Sequence, residues 1–109
     1  MPEWTFIQKR SMKITDHSVV TRTDNCSEAI TNDKIVVFGM HAGAYFSFKD
    51  TAACVWRMLE SPQRVSDLIT LLSGRFHGEP NVISQDLIKF LCALQKERLI
   101  AIVSDDYTH

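Results

Sequence analysis

The sequence predicts a small α+β fold of the winged-helix-like type, with a three-stranded antiparallel sheet followed by three helices and a short final strand. Stretches of β-prone residues occupy the first half of the chain, and segments with helical periodicity fill most of the second half. At the boundary, residues 45–48 alternate on a period of two and lead into an amphipathic helix with almost no loop. A strand tied to a helix in this way is covered on one side and can remain open on the other.

The first strand is predicted over residues 14–23, whose valines and threonines favour extended backbone. Residues 23–33 are polar and predict a loop, with room for a short extended piece at Ala29 and Ile30. The apolar run within residues 34–38 predicts a central strand, because a continuous run suits a strand that is covered on both faces.

Residues 39–43 have the length of a hairpin connection, and Gly43 can supply the positive φ angle that such a turn needs. The strand at residues 45–48 is therefore expected to pair antiparallel with the central strand. The three strands would form a meander, with residues 45–48 at one edge and residues 14–23 at the other.

Three helices are predicted from the spacing of apolar residues. The first begins at Asp50, whose carboxylate is expected to cap free N–H groups, and ends before Pro62. The second runs from about Val65 to His77, with Gly78 as its cap. The predicted inward faces of these two helices carry Ala52, Val55, Trp56, Leu59, Val65, Leu68, Ile69, Leu72 and Phe76.

The third helix is predicted from about Val82 to Glu97, and residues 99–103 form the short final strand. The inward face of this helix carries Ile83, Leu87, Phe90, Leu91 and Leu94. Residues 14–103 are thus expected to make one domain. An arm or extra strand at residues 1–13 would precede it, and a polar tail at residues 104–109 would follow it.

The composition favours a cytoplasmic protein without nucleic-acid or membrane partners. The net charge is −1, no basic face or polybasic tract stands out, and no apolar stretch approaches a membrane-spanning length. The three cysteines are widely spaced and form no C-x-x-C unit, in keeping with a reducing compartment. Cys54 and Cys92 are expected in the core, and Cys26 in an exposed loop.

The sequence contains no constellation that is typical of an enzyme. Its four histidines are far apart, and it has no Gly-rich phosphate-binding loop, paired-carboxylate motif or metal-ligand spacing. We therefore expect a protein that is not an enzyme, with no catalytic residues, no cofactor and no metal.

The order of elements is compatible with two functions, of which the first is DNA binding by a winged-helix transcriptional regulator. The second and third helices would form a helix-turn-helix, with the third helix in the major groove. The polar residues of that helix carry nearly balanced charges, whereas a groove-binding helix gains affinity from net positive charge. DNA binding is therefore the alternative hypothesis.

The second function is peptide binding by β-strand addition. An exposed sheet edge offers unpaired N–H and C=O groups to an extended peptide, and neighbouring side chains provide specificity. Residues 45–48 fit this role because they are aromatic and uncharged up to Lys49. Cover of this edge by a homodimer, or by the N-terminal Trp4 and Phe6, is the other explanation for such a strand.

Several segments, taken in order, resemble the PqqD-like family of leader-recognition proteins, known from pyrroloquinoline quinone biosynthesis and from peptide natural products such as lasso peptides. The resemblance covers about residues 14–103 and rests on residues 45–48, 51–56, 65–69 and 86–91, together with Leu72, Leu94, Leu99 and Ile100. It implies a non-catalytic adaptor that binds the leader of a ribosomally made precursor peptide. The adaptor would present this leader to a modifying enzyme, such as a radical-SAM enzyme or a leader protease.

The resemblance also implies where the leader binds, namely as a further strand in a groove whose other wall is the third helix. The implied strand wall is Ala44, Tyr45, Phe46, Ser47 and Phe48. The implied helix wall is Asp86, Lys89, Phe90 and Ala93, at three- and four-residue spacing. The two charged residues would bind opposite charges on the leader, the alanine would leave room for a bulky side chain, and the phenylalanines of strand end and helix would shape the groove.

Two positions depart from the usual pattern of the family. Lys49 stands where an asparagine is common, so capping of the first helix would pass to Asp50 or Thr51. Arg98 stands where a glycine commonly ends the third helix, so this turn is expected to strain, lengthen or adopt another geometry.

Overall fold

The computed structural model describes residues 14–105, which contain six strands and three helices. The predicted N-terminal arm, with Trp4 and Phe6, and most of the predicted tail lie outside these residues. The strands are β1 (Ser18–Arg22), β2 (Cys26–Ile30), β3 (Ile35–Gly39), β4 (Ala44–Phe48), β5 (Gln63–Arg64) and β6 (Ile100–Asp105). The helices are α1 (Asp50–Met58), α2 (Val65–Phe76) and α3 (Pro80–Lys96). The α+β class predicted from the sequence is confirmed.

The strands form two antiparallel sheets, with the orders β2-β3-β4 and β5-β1-β6. The prediction that residues 14–23 border the meander was therefore wrong. Strand β2 takes that place, inside the segment predicted to be a loop, and β1 pairs with the final strand instead. Strand β2 was not predicted, because it is a largely exposed edge strand with polar residues and no apolar run.

The ends of the three helices depend on left-handed backbone at residues that are not glycine. Asp50 has a φ angle of 52°, which turns the chain from β4 into α1 within one residue. The predicted capping by Asp50 is wrong, since Lys49 is the N-cap residue and provides no side-chain hydrogen bond. His77, with a φ angle of 54°, ends α2 in place of Gly78.

Gly78 has a packing role instead of the predicted capping role. A Cβ atom added at this position would lie 2.7 Å from Cδ1 of Ile83, a distance that real Cβ contacts do not reach. The connection between α2 and α3 therefore passes directly over the Ile83 side chain, which would have to shift to admit any larger residue at this position.

One core cluster joins both sheets and all three helices. The central position of β3 is confirmed, with Ile35 and Val37 almost completely buried. Most of the predicted inward helical residues are buried as well, and Trp56 is fully enclosed. Phe76 differs from the prediction, because its position at the end of α2 leaves it 42% exposed.

Two of the three cysteines lie in environments other than those predicted. Cys26 lies in β2, half-buried against the core, and Cys92 is exposed on α3, whereas Cys54 packs against the core as predicted. Burial raises the pKa of the Cys26 thiol, and the carboxylates of Glu28 and Asp24 act in the same direction while Arg22 opposes them. Within the described part of the chain, no helix is long and apolar enough to cross a membrane.

Candidate peptide-binding site

Strand β4 forms one edge of the β2-β3-β4 sheet. Its residues pair with β3 in the antiparallel register Ile35↔Phe48 to Gly39↔Ala44, and no other strand among the described residues borders it. The left-handed Gly43, with a φ angle of 64°, closes the hairpin as predicted. In an antiparallel pair, half of the backbone groups of an edge strand point away from the partner strand. Strand β4 thus offers these groups to an extended ligand.

The two faces of β4 carry different side chains. Phe48 is 6% exposed in the core, and Phe46 on the same face packs over the backbone of β3. A Cβ added at Gly39 would lie 3.0 Å from Cε2 of Phe46. Tyr45 and Ser47 are exposed on the opposite face, where the Tyr45 ring lies 5.0 Å from that of Phe38. The phenylalanines therefore face the core, and the tyrosine faces away from it.

An aromatic contact joins the end of β4 to α3. The Phe48 and Phe90 rings meet edge to face with their centroids 5.5 Å apart, and the Phe48 ring also lies 5.4 Å from that of Trp56. Phe90 is half-buried, so one part of its ring remains accessible. The Phe48–Phe90 contact places the end of β4 beside α3, the two elements that the family resemblance implies as the walls of the groove.

Helix α3 presents polar residues beside this contact. Asp86, Lys89 and Ala93 are exposed and are spaced so that they share a face with Phe90. Neither charged side chain forms a hydrogen bond or ion pair with another described residue. Both charges are therefore accessible to a ligand that lies in the groove.

The family model of coenzyme PQQ synthesis protein D (PqqD) matches residues 34–100, which span β3 through the start of β6. The chain belongs to the PqqD family. The predicted family resemblance is thereby confirmed, and the matched region contains both sides of the groove. No curated protein matches the chain significantly.

Two solved structures resemble the chain in fold. One is TbiB1 in complex with the TbiA(β) leader peptide, with 21% identity, a TM-score of 0.67, and coverage of 82% of this chain and 99% of the other. The second is the PqqD truncation of PqqCD from Methylobacterium extorquens, described as a functional, stand-alone RiPP recognition element. It has 18% identity, a TM-score of 0.66, and coverage of 82% of this chain and 95% of the other. At these identities the likeness establishes the fold.

The PqqD fold places the predicted site residues in three groups. Phe46, Phe48 and Phe90 pack against the core, with Phe48 and Phe90 in contact between β4 and α3, and the exposed residues of α3 lie beside Phe90. Ala44, Tyr45 and Ser47 are exposed residues of the β4 edge, and the side chains of Tyr45 and Ser47 lie on the far face of the sheet. The part of each residue in binding stays a prediction.

A cavity of about 380 Å³ lies next to the groove, and the sequence analysis did not predict it. This interhelical cavity is lined by Thr51, Ala52, Val55, Leu72, Phe76, Gly78, Ile83, Asp86, Leu87 and Phe90. It shares Asp86 and Phe90 with the predicted helix wall. The sequence assigned most of its apolar lining to the inward faces of three helices, but their spacing cannot show that these faces leave a gap where they converge.

A polar junction fixes the sheet relative to α1. The buried Trp56 ring donates from Nε1 to Oε1 of Glu28 at 2.7 Å, and Arg22 Nη1 donates to the same oxygen at 3.3 Å. The Arg22 guanidinium lies 4.5 Å from the centre of the Trp56 ring and donates to the Trp56 carbonyl oxygen through Nε and Nη2. Residues from β1, β2 and α1 are thus linked at the side of the sheet opposite β4.

Among residues 14–105, no three His, Cys, Asp or Glu side chains come close enough together to hold a metal ion.

Proposed function

We propose that this PqqD-family protein is a non-catalytic adaptor that captures the leader of a ribosomally synthesised precursor peptide and presents it to a modifying enzyme. The observation that carries the proposal is the open edge of β4, whose groove-side phenylalanines meet α3 through the Phe48–Phe90 contact. The leader would add a fourth strand to the β2-β3-β4 sheet.

The comparisons support this proposal because both similar structures concern leader recognition. TbiB1 is in complex with a leader peptide, and the Methylobacterium domain acts as a recognition element on its own. Neither they nor the family match support the DNA-binding alternative. By analogy, the partner enzyme would be a radical-SAM enzyme or a leader protease.

The energetics of strand addition suit a reversible adaptor. Each backbone hydrogen bond to Ala44–Phe48 would contribute about 0.5–1.5 kcal/mol net. A side chain buried between β4 and α3 would add about 1.5–3 kcal/mol. Ordering the peptide offsets part of this gain, which leaves an affinity in about the micromolar to nanomolar range.

The side chains of the groove would determine which leader binds. The exposed Lys89 and Asp86 would pair with opposite charges, and the small Ala93 leaves space for a large side chain. Phe48 and Phe90 would form the floor. Tyr45 and Ser47 would contribute through their backbone, because their side chains lie on the other face.

The first experiment is a titration of the protein, followed by amide chemical shifts, with synthetic leader peptides of short precursors encoded beside its gene. Saturable shifts along Ala44–Phe48 and at residues 86–93 are the expected result. A duplex DNA control at the same salt concentration tests the alternative function. Sedimentation of the free protein over a range of concentrations tests a homodimer that would cover the β4 edge.

A charge reversal on α3 tests whether this helix contributes to leader binding. Lys89→Glu is expected to weaken leader binding about three- to tenfold by reversing one exposed charge. Arg57→Glu is the control, because it also reverses one exposed positive charge, on α1 beside residues 32–34 and away from α3. Equal affinities of the two variants for the leader would remove α3 from the site.

Prolines test the edge of β4. Successive strand residues direct their N–H groups to opposite edges, so of Phe46→Pro and Ser47→Pro one blocks the open edge and the other breaks pairing with β3. The variant that retains the native circular dichroism spectrum is expected to bind the leader at least about tenfold more weakly. Undiminished binding by this folded variant would refute strand addition at β4.

A further inference from the structure

We propose that the interhelical cavity is an anchor pocket for one bulky apolar side chain of the bound peptide, and that this side chain lies outside the segment paired with β4. The inference rests on the proposed function, because it takes the occupant to be a residue of the captured leader. It adds a second recognition element, distinct from the strand edge, with its own chemical preference.

The walls of the cavity suit an apolar side chain. Each helix contributes buried or half-buried apolar groups, including Val55 of α1, Leu72 of α2 and Leu87 of α3. The volume of about 380 Å³ exceeds the roughly 150 Å³ of an engineered apolar cavity that binds benzene in another protein. The cavity therefore has room for an aromatic ring or a branched aliphatic chain.

The cavity is accessible from the surface. Thr51, Gly78 and Asp86 are exposed, and Phe76 is 42% exposed at the end of α2. Gly78 lies close to Ile83 and has no side chain of its own that could cover the opening. A carboxylate at the rim disfavours an acidic residue of the peptide next to the anchor and favours a basic one.

The position of the cavity relative to β4 determines which part of the peptide can reach it. Two lining residues, Thr51 and Ala52, lie in the first turn of α1, directly after the sharp bend at Asp50. A third, Phe90, touches Phe48 at the last position of β4. The cavity thus continues the groove beyond the Phe48 end of the strand, so its occupant would flank the paired segment.

Orientation then predicts the location of the anchor in the peptide. If the peptide pairs antiparallel to β4, the anchor precedes the paired segment, and if it pairs parallel, the anchor follows it. In either case the loss of this one side chain would weaken binding while leaving the backbone pairing with β4 intact.

The cavity can be tested without any leader by titration with indole and 4-methylphenol, analogues of aromatic side chains. Saturable methyl shifts at Leu72, Ile83 and Leu87 are expected. Thr51→Trp, which adds a ring at the cavity wall, is expected to abolish them, whereas Arg57→Trp on the exposed side of α1 keeps them. Ala52→Leu adds volume to the same wall and serves as the second filling variant. Absence of saturable shifts in the unsubstituted protein would overturn the proposal.

The leader titration separates this proposal from the adaptor function. Both filling variants are expected to bind the leader about ten- to a hundredfold more weakly than Arg57→Trp, with shifts along β4 retained at saturation. Full affinity in both filling variants, with normal shifts along β4, would refute the anchor pocket and leave the adaptor function standing. Indole binding without any leader binding would refute the adaptor function, and with it a leader side chain as the occupant.

Discussion

At Arg98 the backbone adopts a φ angle of 62°, a left-handed conformation that glycine reaches without the cost borne by other residues. The turn it makes is well bonded. The Leu99 N–H donates to the Leu94 carbonyl at 2.9 Å, and Thr23 Oγ1 donates to the Arg98 carbonyl at 2.7 Å. The strain expected from the departure from the family pattern is therefore present, and the surrounding hydrogen bonds hold it in place.

Arg98→Gly is expected to raise the free energy of unfolding by about 0.5–1 kcal/mol, because it relieves this strain and removes only an exposed side chain. Thermal unfolding followed by circular dichroism would show a midpoint higher by about 2–8 °C. Glu97→Gly is the matched control. Its φ angle is −88°, so glycine there is expected to lower the midpoint. A lower midpoint for Arg98→Gly would mean that the arginine side chain stabilises the turn.

At the scale of elements, the junction of Arg22, Glu28 and Trp56 ties β1 and β2 to α1. The Trp56 side chain is fully buried, so its N–H depends on the carboxylate of Glu28 as acceptor. Glu28→Ala is expected to cost about 1–3 kcal/mol of stability, because it leaves a buried donor without a partner.

A double-mutant cycle with Trp56→Phe measures that dependence. In the Trp56→Phe background there is no indole N–H to satisfy, so Glu28→Ala is expected to cost clearly less than in the unsubstituted protein. Urea unfolding followed by circular dichroism gives the four free energies. Additive costs would show that Glu28 acts through Arg22 or through packing and not through the indole.

Some of the secondary-structure elements are predictable from the sequence and others are not. Helices α1, α2 and α3 and strands β3 and β4 follow from local periodicity, because each buries one face or one apolar run. Strand β2 and the pairing of β1 with β6 depend on partners distant in sequence, which no local pattern contains.

The candidate site was likewise predictable only in part. The open edge of β4 was predictable from its short aromatic alternation, and the helix wall came from the family resemblance. Phe48 was expected to shape the groove, whereas the position of the Tyr45 and Ser47 side chains on the far face of the sheet was not predicted. The interhelical cavity arises from the angles between three helices, which apolar spacing does not determine.

At the scale of the whole molecule, the two sheets share one core. Val20 and Ile100 of the β5-β1-β6 sheet belong to the same buried cluster as Ile35 and Val37 of the β2-β3-β4 sheet. Separation of the sheets would expose this cluster, so neither sheet retains its apolar cover without the other. The β4 edge therefore depends for its stability on the complete domain.

We accordingly expect a single cooperative unfolding transition. In a Trp4→Phe variant, the fluorescence of the buried Trp56 and the far-UV circular dichroism are expected to give the same urea midpoint. A leader peptide at about 100 times its Kd would stabilise the folded state by about 2.7 kcal/mol and shift both signals equally. A fluorescence transition that precedes the loss of helix, or a leader that shifts only one signal, would show that the binding edge unfolds separately from the rest of the domain.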